Sequence, residues 1–356
     1  MSSLENLPIR DDLRGQEPYG APQLAVPVSL NVNENTHGIP EEVALTIVEK
    51  LAAAVVGLNR YPDREFLELR ESLANFLGHG LSAKQVWAAN GSNEVLQQFF
   101  TAFGGPGRKA LSFGPTYSMY PNIARITLTD YVEAQRPEGY ELTPEFVAEA
   151  ISEHKPDIVL ICAPNNPTGT AVTLETVRAA YGAFEGMLLV DEAYAEFSQG
   201  PSSIELLPTM ERLVVSRTMS KAFAFAGARV GYMAASEAVV DAMRIVRLPY
   251  HLSALTQAAA LAALKHSALM LANVEKIKVQ RDRIISACRQ WGLKPYDSDA
   301  NFVLVAGFSD PNAVFEDLLA KGVLVRNVGI PGTLRITAGT EAETTKLLAE
   351  IALLLD

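Results

Sequence analysis

Between about residues 90 and 246, short runs of apolar residues alternate with stretches whose apolar positions recur every three to four residues. The short runs predict strands at Lys109–Phe113, Asp157–Ala163, Met187–Asp191, Leu213–Arg217 and Val230–Ala234. The recurring stretches predict helices at Ser92–Ala102, Pro144–Glu153, Leu174–Phe184 and Ser236–Val246. Strands with little polar alternation are covered on both faces, so this region reads as α/β with a mostly parallel sheet. Loops rich in Pro, Asn and Gly follow several strands, notably Gly114–Thr116 and Pro164–Gly169. In open α/β sheets ligands bind beyond the carboxyl ends of strands, so these loops are where chemistry is expected.

After Val246 the texture changes. A long Ala/Leu-rich helical region, Ser253–Trp291, precedes strand-like runs at Asn301–Val305, Gly322–Arg326 and Leu334–Thr337. A helix is expected near Asn312–Leu319, and another from Glu341 onward. This α+β pattern predicts a second, smaller domain. The expected division is a large domain over 30–246 and a small one from 1–29 with 247–356, an N-terminal arm plus the C-terminal part.

Composition narrows the function. The chain has 356 residues, 48% hydrophobic and 20% charged, which is ordinary for a folded protein. Thirty basic against forty-one acidic residues give a net charge of −11 with no basic run, which argues against nucleic acid or an anionic membrane as partner. Two cysteines exclude a disulfide framework and a Cys-rich zinc site. The five histidines do not cluster, so no metal is expected. The apolar stretch Leu252–Leu264 is too short to span a bilayer. The N-terminal residues lack the pattern of a secretory signal, and the expectation is a cytoplasmic protein.

No Walker A loop, G-x-G-x-x-G after a strand, H-E-x-x-H or G-x-S-x-G occurs. What remains is a spaced set. Asp191 ends an apolar strand and Tyr194 follows three residues later; Lys221 comes 221 − 191 = 30 residues after Asp191, and Arg229 eight beyond that. Lys221 lies among Ala222, Phe223, Ala224 and Phe225, where burial would favour a neutral amine or an imine, unless it is a surface lysine at a helix start. Asn90-Gly-Ser-Asn-Glu94 opens a helix, so Ser92 and Asn93 either cap it or leave free N–H groups where a phosphate would sit. Thr218, Ser220 and Arg229 would complete a phosphate cradle if their loop lies beside that helix end.

The ordered set Asn-Pro-Thr-Gly, Asp-x-x-Tyr, Ser-x-x-x-Ser-Lys and Lys-x7-Arg resembles the pyridoxal-phosphate enzymes of the aspartate-aminotransferase fold, fold type I. Within them the chain is most similar to the histidinol-phosphate aminotransferases. The resemblance runs through Tyr19–Pro22, Asn31–Asn35, Leu58–Pro62, Ala89–Glu94, Ala163–Gly169, Val190–Phe197, Arg217–Phe223, Ala226–Arg229 and Leu334–Thr337. Thr36-His37 departs from it, since proline commonly follows Asn-Glu-Asn in the family. The resemblance implies a Schiff base from Lys221 to pyridoxal 5'-phosphate, Asp191 on the pyridine nitrogen, and Tyr194 with Asn166 on the phenolic oxygen. It puts Tyr117 against the ring and Ser92, Asn93, Thr218, Ser220 and Arg229 on the phosphate. Tyr61 would reach the phosphate in a partner subunit, which implies a homodimer.

For substrate, the resemblance implies ping-pong exchange of an amino group between histidinol phosphate and 2-oxoglutarate, giving imidazole-acetol phosphate and glutamate, a step of histidine biosynthesis. Arg335 is expected to take the carboxylate, with Arg326 and Tyr19 as candidates for the phosphate end and Asn166 nearby. Arg326 is otherwise a solvated strand-end charge. An aromatic amino acid aminotransferase is the alternative activity, and a non-catalytic binding protein with the same fold is the alternative from another class.

Overall fold

The computed structural model describes residues 4–20 and 22–355. Ala21, inside the Tyr19–Pro22 motif, lies outside them, as do residues 1–3 of the expected arm and Asp356. Its strands are β1 (Val28–Ser29), β2 (Val86–Ala89), β3 (Lys109–Gly114), β4 (Asp130–Gln135), β5 (Ile158–Cys162), β6 (Met187–Asp191), β7 (Leu213–Thr218), β8 (Gly231–Ala235), β9 (Lys294–Pro295), β10 (Phe302–Ala306), β11 (Val323–Leu324) and β12 (Thr333–Thr337).

Seven of them form the main sheet in the order β2-β8-β7-β6-β5-β3-β4. Only β8 runs against its neighbours. Every residue of β5, β7 and β8 is buried, which is why β5, the first half of β7 and β8 read without polar alternation. β2 and β4 were not among the expected strands. β2 has four residues, two of them alanine, and β4 is an edge strand of sequence DYVEAQ whose side chains stay partly in water.

One face of the sheet packs with helices Glu41–Val56, Leu67–Leu77, Ser92–Phe103 and Ala254–Lys265, around Trp87, Phe99, Phe100 and Tyr232. The other packs with Pro144–His154 and Leu174–Gly182. The expected continuous helical region Ser253–Trp291 is three helices, Ala254–Lys265, Ser267–Leu271 and Val274–Gln290. The first shares its core with the main sheet; the last belongs to another core.

That other core holds the three-stranded antiparallel sheet β12-β10-β9, the pair β1-β11 and the helix Glu341–Leu355, with Phe302, Ile277, Leu318 and Ile351 at its centre. β1 brings the N-terminal segment onto it: Leu30 donates its N–H to Leu324 O at 2.7 Å and accepts from Thr337 N at 3.0 Å. The chain then runs from Asn31 to Asn35 along the carboxyl ends of the main strands. In this way residues from both cores meet in one place.

Candidate active site

A cavity of about 1220 Å³ opens at that meeting. It exceeds the roughly 300–1,000 Å³ common for small-molecule sites, leaving room for a cofactor and a substrate together. Thirteen of the fourteen residues expected at a site line it, Tyr61 being the exception: Lys221, Asp191, Tyr194, Tyr117, Asn166, Ser92, Asn93, Thr218, Ser220, Arg229, Arg335, Arg326 and Tyr19. Tyr61 is 80% exposed on the outer surface and stacks on Tyr250 at 4.4 Å.

Asp191 closes β6, and β7 sets Ser216 beside it in register. The carboxylate is buried; Ser216 donates to Oδ1 at 2.9 Å and Tyr120 to Oδ2 at 3.0 Å. Among the described residues no cation forms an ion pair with it. Burial raises its pKa above the usual carboxylate value, and the two hydroxyl donors work against that rise. A buried acid aimed into a cavity without a cation is suited to a protonated ring nitrogen.

Lys221 follows the loop after β7, and its Nζ donates to Val32 O at 3.0 Å. Burial first, and then the positive charge of Arg335, lower its amine to about 8. The reading as a surface lysine is thereby set aside.

The helix Ser92–Phe103 starts at Gly91, and no side chain caps it. Ser92 and Asn93 are therefore within the first turn, not caps, and the helix end with its positive dipole faces the cavity. Gly91 sits at φ +82°, and a Cβ there would lie 2.4 Å from Arg229 Nη2. At Gly231, which opens β8, a Cβ would fall 2.0 Å from Ser92 N. Only glycine lets the helix start, Arg229 and β8 approach this closely. Thr218 and Ser220 are linked at 3.0 Å beside them. Uncapped amides, hydroxyls and a guanidinium make a donor set suited to a phosphate.

Tyr117 donates to Asn93 Oδ1 at 3.0 Å, which holds its ring over this floor. Tyr194 accepts from Asn33 Nδ2 at 3.0 Å, and burial lifts its pKa well above the phenol range. Arg335, 8% exposed, donates from Nη1 to Asn166 Oδ1 at 2.6 Å and from Nη2 to Asn31 O at 2.7 Å. Its Nε is buried without a partner. Arg326 and Arg335 exchange both backbone hydrogen bonds, at 3.0 and 2.8 Å, so their side chains leave the same face. Tyr19 accepts from Ser118 Oγ at 3.0 Å.

Sequence reasoning missed Tyr120 and the roles of Val32 and Asn33. The last two lie in the Asn31–Asn35 motif but meet the site through residues far along the chain, Val32 O accepting from Lys221 189 residues away and Asn33 Oδ1 accepting from Thr337 304 residues away, at 3.0 Å.

Comparison with known proteins identifies the family. The family described as aminotransferase class I and II matches residues 26–351. The chain belongs to the class I and II aminotransferases. It is 59% identical to a histidinol-phosphate aminotransferase of Paenarthrobacter aurescens, covering 100% of this chain and 97% of that one. It is 53% identical to the enzyme so named of Thermobifida fusca, over 96% and 94%. Among solved structures, the histidinol-phosphate aminotransferase of Sinorhizobium meliloti in complex with pyridoxal-5'-phosphate superposes with a TM-score of 0.84 at 25% identity, covering 93% and 91%. An aspartate aminotransferase mutant of Thermus thermophilus gives 0.81 at 25%, over 97% and 99%. Both are aminotransferases of fold type I, and this aminotransferase has the same α/β architecture. Among its described residues no helix is long and apolar enough to cross a membrane.

Proposed function

We propose that this aminotransferase uses pyridoxal 5'-phosphate to exchange an amino group between histidinol phosphate and 2-oxoglutarate. The observation that carries the substrate is the Arg326–Arg335 pair, two guanidiniums on one face of a cavity that also holds Lys221 and Asp191. Two anionic partners must use that cavity in turn. Guanidiniums match both carboxylate and phosphate oxygens by two-point contact.

The bound cofactor would supply an aldehyde carbon for the Lys221 amine and a ring that draws off electrons as the α-proton leaves. Ser92, Asn93, Thr218, Ser220 and Arg229 would hold its phosphate, Tyr117 would cover its ring, and Tyr194 with Asn166 would serve the phenolic oxygen. Asp191 would keep the proton on the ring nitrogen. Lys221, whose amine burial lowers toward the neutral range, would take and return the α-proton at Nζ. Arg335 orients the carboxylate of glutamate or 2-oxoglutarate, its orphaned Nε gaining a partner, and Arg326 with Tyr19 takes the phosphate of histidinol phosphate.

The same reading makes the enzyme a cytoplasmic homodimer in histidine biosynthesis. Both cysteines are free, as in a reducing compartment. The segment leading to Tyr61 leaves Val48, Val55, Val56 and Leu58 exposed, with Leu248 exposed near Tyr250, an apolar surface that a second copy would cover. Tyr61 on this surface would then enter the partner's site.

The test is kcat/KM for histidinol phosphate, histidinol and phenylalanine with 2-oxoglutarate. Histidinol phosphate should be preferred, and Arg326→Ala should reduce it far more than phenylalanine. Equal or better turnover of phenylalanine would replace this reading with an aromatic amino acid aminotransferase.

A further inference from the structure

Tyr120 has no part in the roles given above, yet it is the side chain that meets Asp191 from outside the β6–β7 strand ends. It lies one residue into the short helix Met119–Ile126, is fully buried, and donates to Asp191 Oδ2 at 3.0 Å. Its ring meets that of Tyr117 edge-on at 5.5 Å. One helix start therefore fixes the residue that covers the cavity floor and a donor to the acid beneath it.

The groups that bear directly on the acid are otherwise neutral or negative, while the buried Arg136 guanidinium, just past β4, faces Tyr120 and Cys162 from behind. Ser216 comes from β7, the Cys162 thiol from the end of β5, Glu192 from the next position, and Tyr117 and Tyr194 from the walls. Burial pushes the Cys162 thiol up to about 12 and lifts the Tyr120 hydroxyl well above its usual value, so both stay protonated. Toward an ionised Asp191, a protonated Tyr120 is the donor. Resting on the cofactor reading above, we propose that Tyr120 is a positioning residue that holds Asp191 as an anion, one oxygen tethered by Tyr120 and the other by Ser216, and thereby keeps the proton on the cofactor's ring nitrogen.

The physical reason is a competition for one proton between Asp191 and that nitrogen. Each hydroxyl donated to the carboxylate stabilises the anion and drives the proton toward the nitrogen. Without Tyr120 the proton shifts toward the acid, and the ring draws electrons less strongly. A less electron-poor ring leaves the imine nitrogen on Lys221 more basic.

Tyr120→Phe keeps the ring in the core and removes the hydroxyl. In protein loaded with pyridoxal phosphate, the pH midpoint of the visible absorbance change should rise by about one unit, the effect of one hydrogen bond to a charged group. The kcat should fall about tenfold at nearly unchanged KM for the amino donor, by the same equivalence. Ser216→Ala, which trims the other tether, should move the midpoint the same way. Midpoints that match wild type in both variants would overturn the proposal and leave Tyr120 as core filling. Wild-type protein that takes no borohydride-fixed label on Lys221 would instead sink the cofactor reading, which separates the two failures.

Discussion

Arg335 donates to the side-chain oxygen of Asn166 at 2.6 Å, joining β12 of the second core to the loop that follows β5 of the main sheet. The residue expected to grip the substrate is thereby locked to one expected to touch the cofactor. Charge-assisted hydrogen bonds contribute about 1.5–3 kcal/mol each. Arg335→Lys keeps the charge but loses the fork, so kcat/KM for glutamate should fall roughly 10- to 150-fold per bond lost. Steady-state kinetics check this, and a loss below threefold would refute the assignment of Arg335 to the carboxylate.

Asp191→Asn should keep the fold and most of the cofactor affinity while losing most of the rate. The cradle around Gly91 and Gly231 supplies the anchoring, whereas the carboxylate acts on ring electronics where charge develops. Equilibrium dialysis with pyridoxal phosphate beside kcat measurements tests the division. Full turnover with weakened binding would reverse it.

Lys221 also has a cost in the cofactor-free protein. Its amine is near 8 when folded, against about 10.4 in an unfolded chain. Between those values the unfolded state binds more protons, so the contribution of this group to stability rises with pH through that window and is unfavourable below it. Cofactor-free Lys221→Met should therefore melt above wild type at pH 7, by an amount on the order of 1–3 kcal/mol. The gap should narrow as pH rises from about 8 to 10. Thermal melts across pH measure it, and a constant gap would mean that the amine is not held low.

Tyr61 stacks on Tyr250 within one chain, so its ring is oriented before any partner arrives. If it completes the neighbouring site, mixing a Tyr61→Ala protein with a Lys221→Ala protein should restore part of the activity through hybrid dimers with one intact site. Tyr250→Ala should weaken cofactor binding in the dimer about as a lost aromatic pair does, ~0.5–1.5 kcal/mol. Verified heterodimers without any rescue would argue for sites built within one chain.

How far the sequence could be read depended on whether a residue's surroundings are local. β5, β6 and β7 lie inside the sheet, so their runs begin apolar, and the polar ends, Asp191 on β6 and Ser216–Thr218 on β7, stand out by contrast. The helix Glu41–Val56 was not expected, because it buries only Val43 and Ile47 while apolar side chains also point outward, which blurs the 3.6-residue period. The helix Ala254–Lys265 reads as Ala/Leu-rich whichever core it joins, so pattern alone did not tie it to the main sheet. Tyr120 gave no signal at all, since a tyrosine before a proline in an eight-residue helix looks like any core aromatic until Asp191 is placed beside it.

The Asn31–Asn35 stretch puts the site on a clock. Val32 O receives Lys221, Asn31 O receives Arg335, and Asn33 is clasped by Thr337, a span of 304 residues. A chain emerging from synthesis can form the phosphate cradle once β8 is out and can already offer Tyr194 to Asn33, but Asn31 O lacks Arg335 and Asn33 lacks Thr337 until β12 has followed. Capture of the cofactor in its final geometry thus waits for β12, and a protein shortened before β12 should have the cradle without the grip.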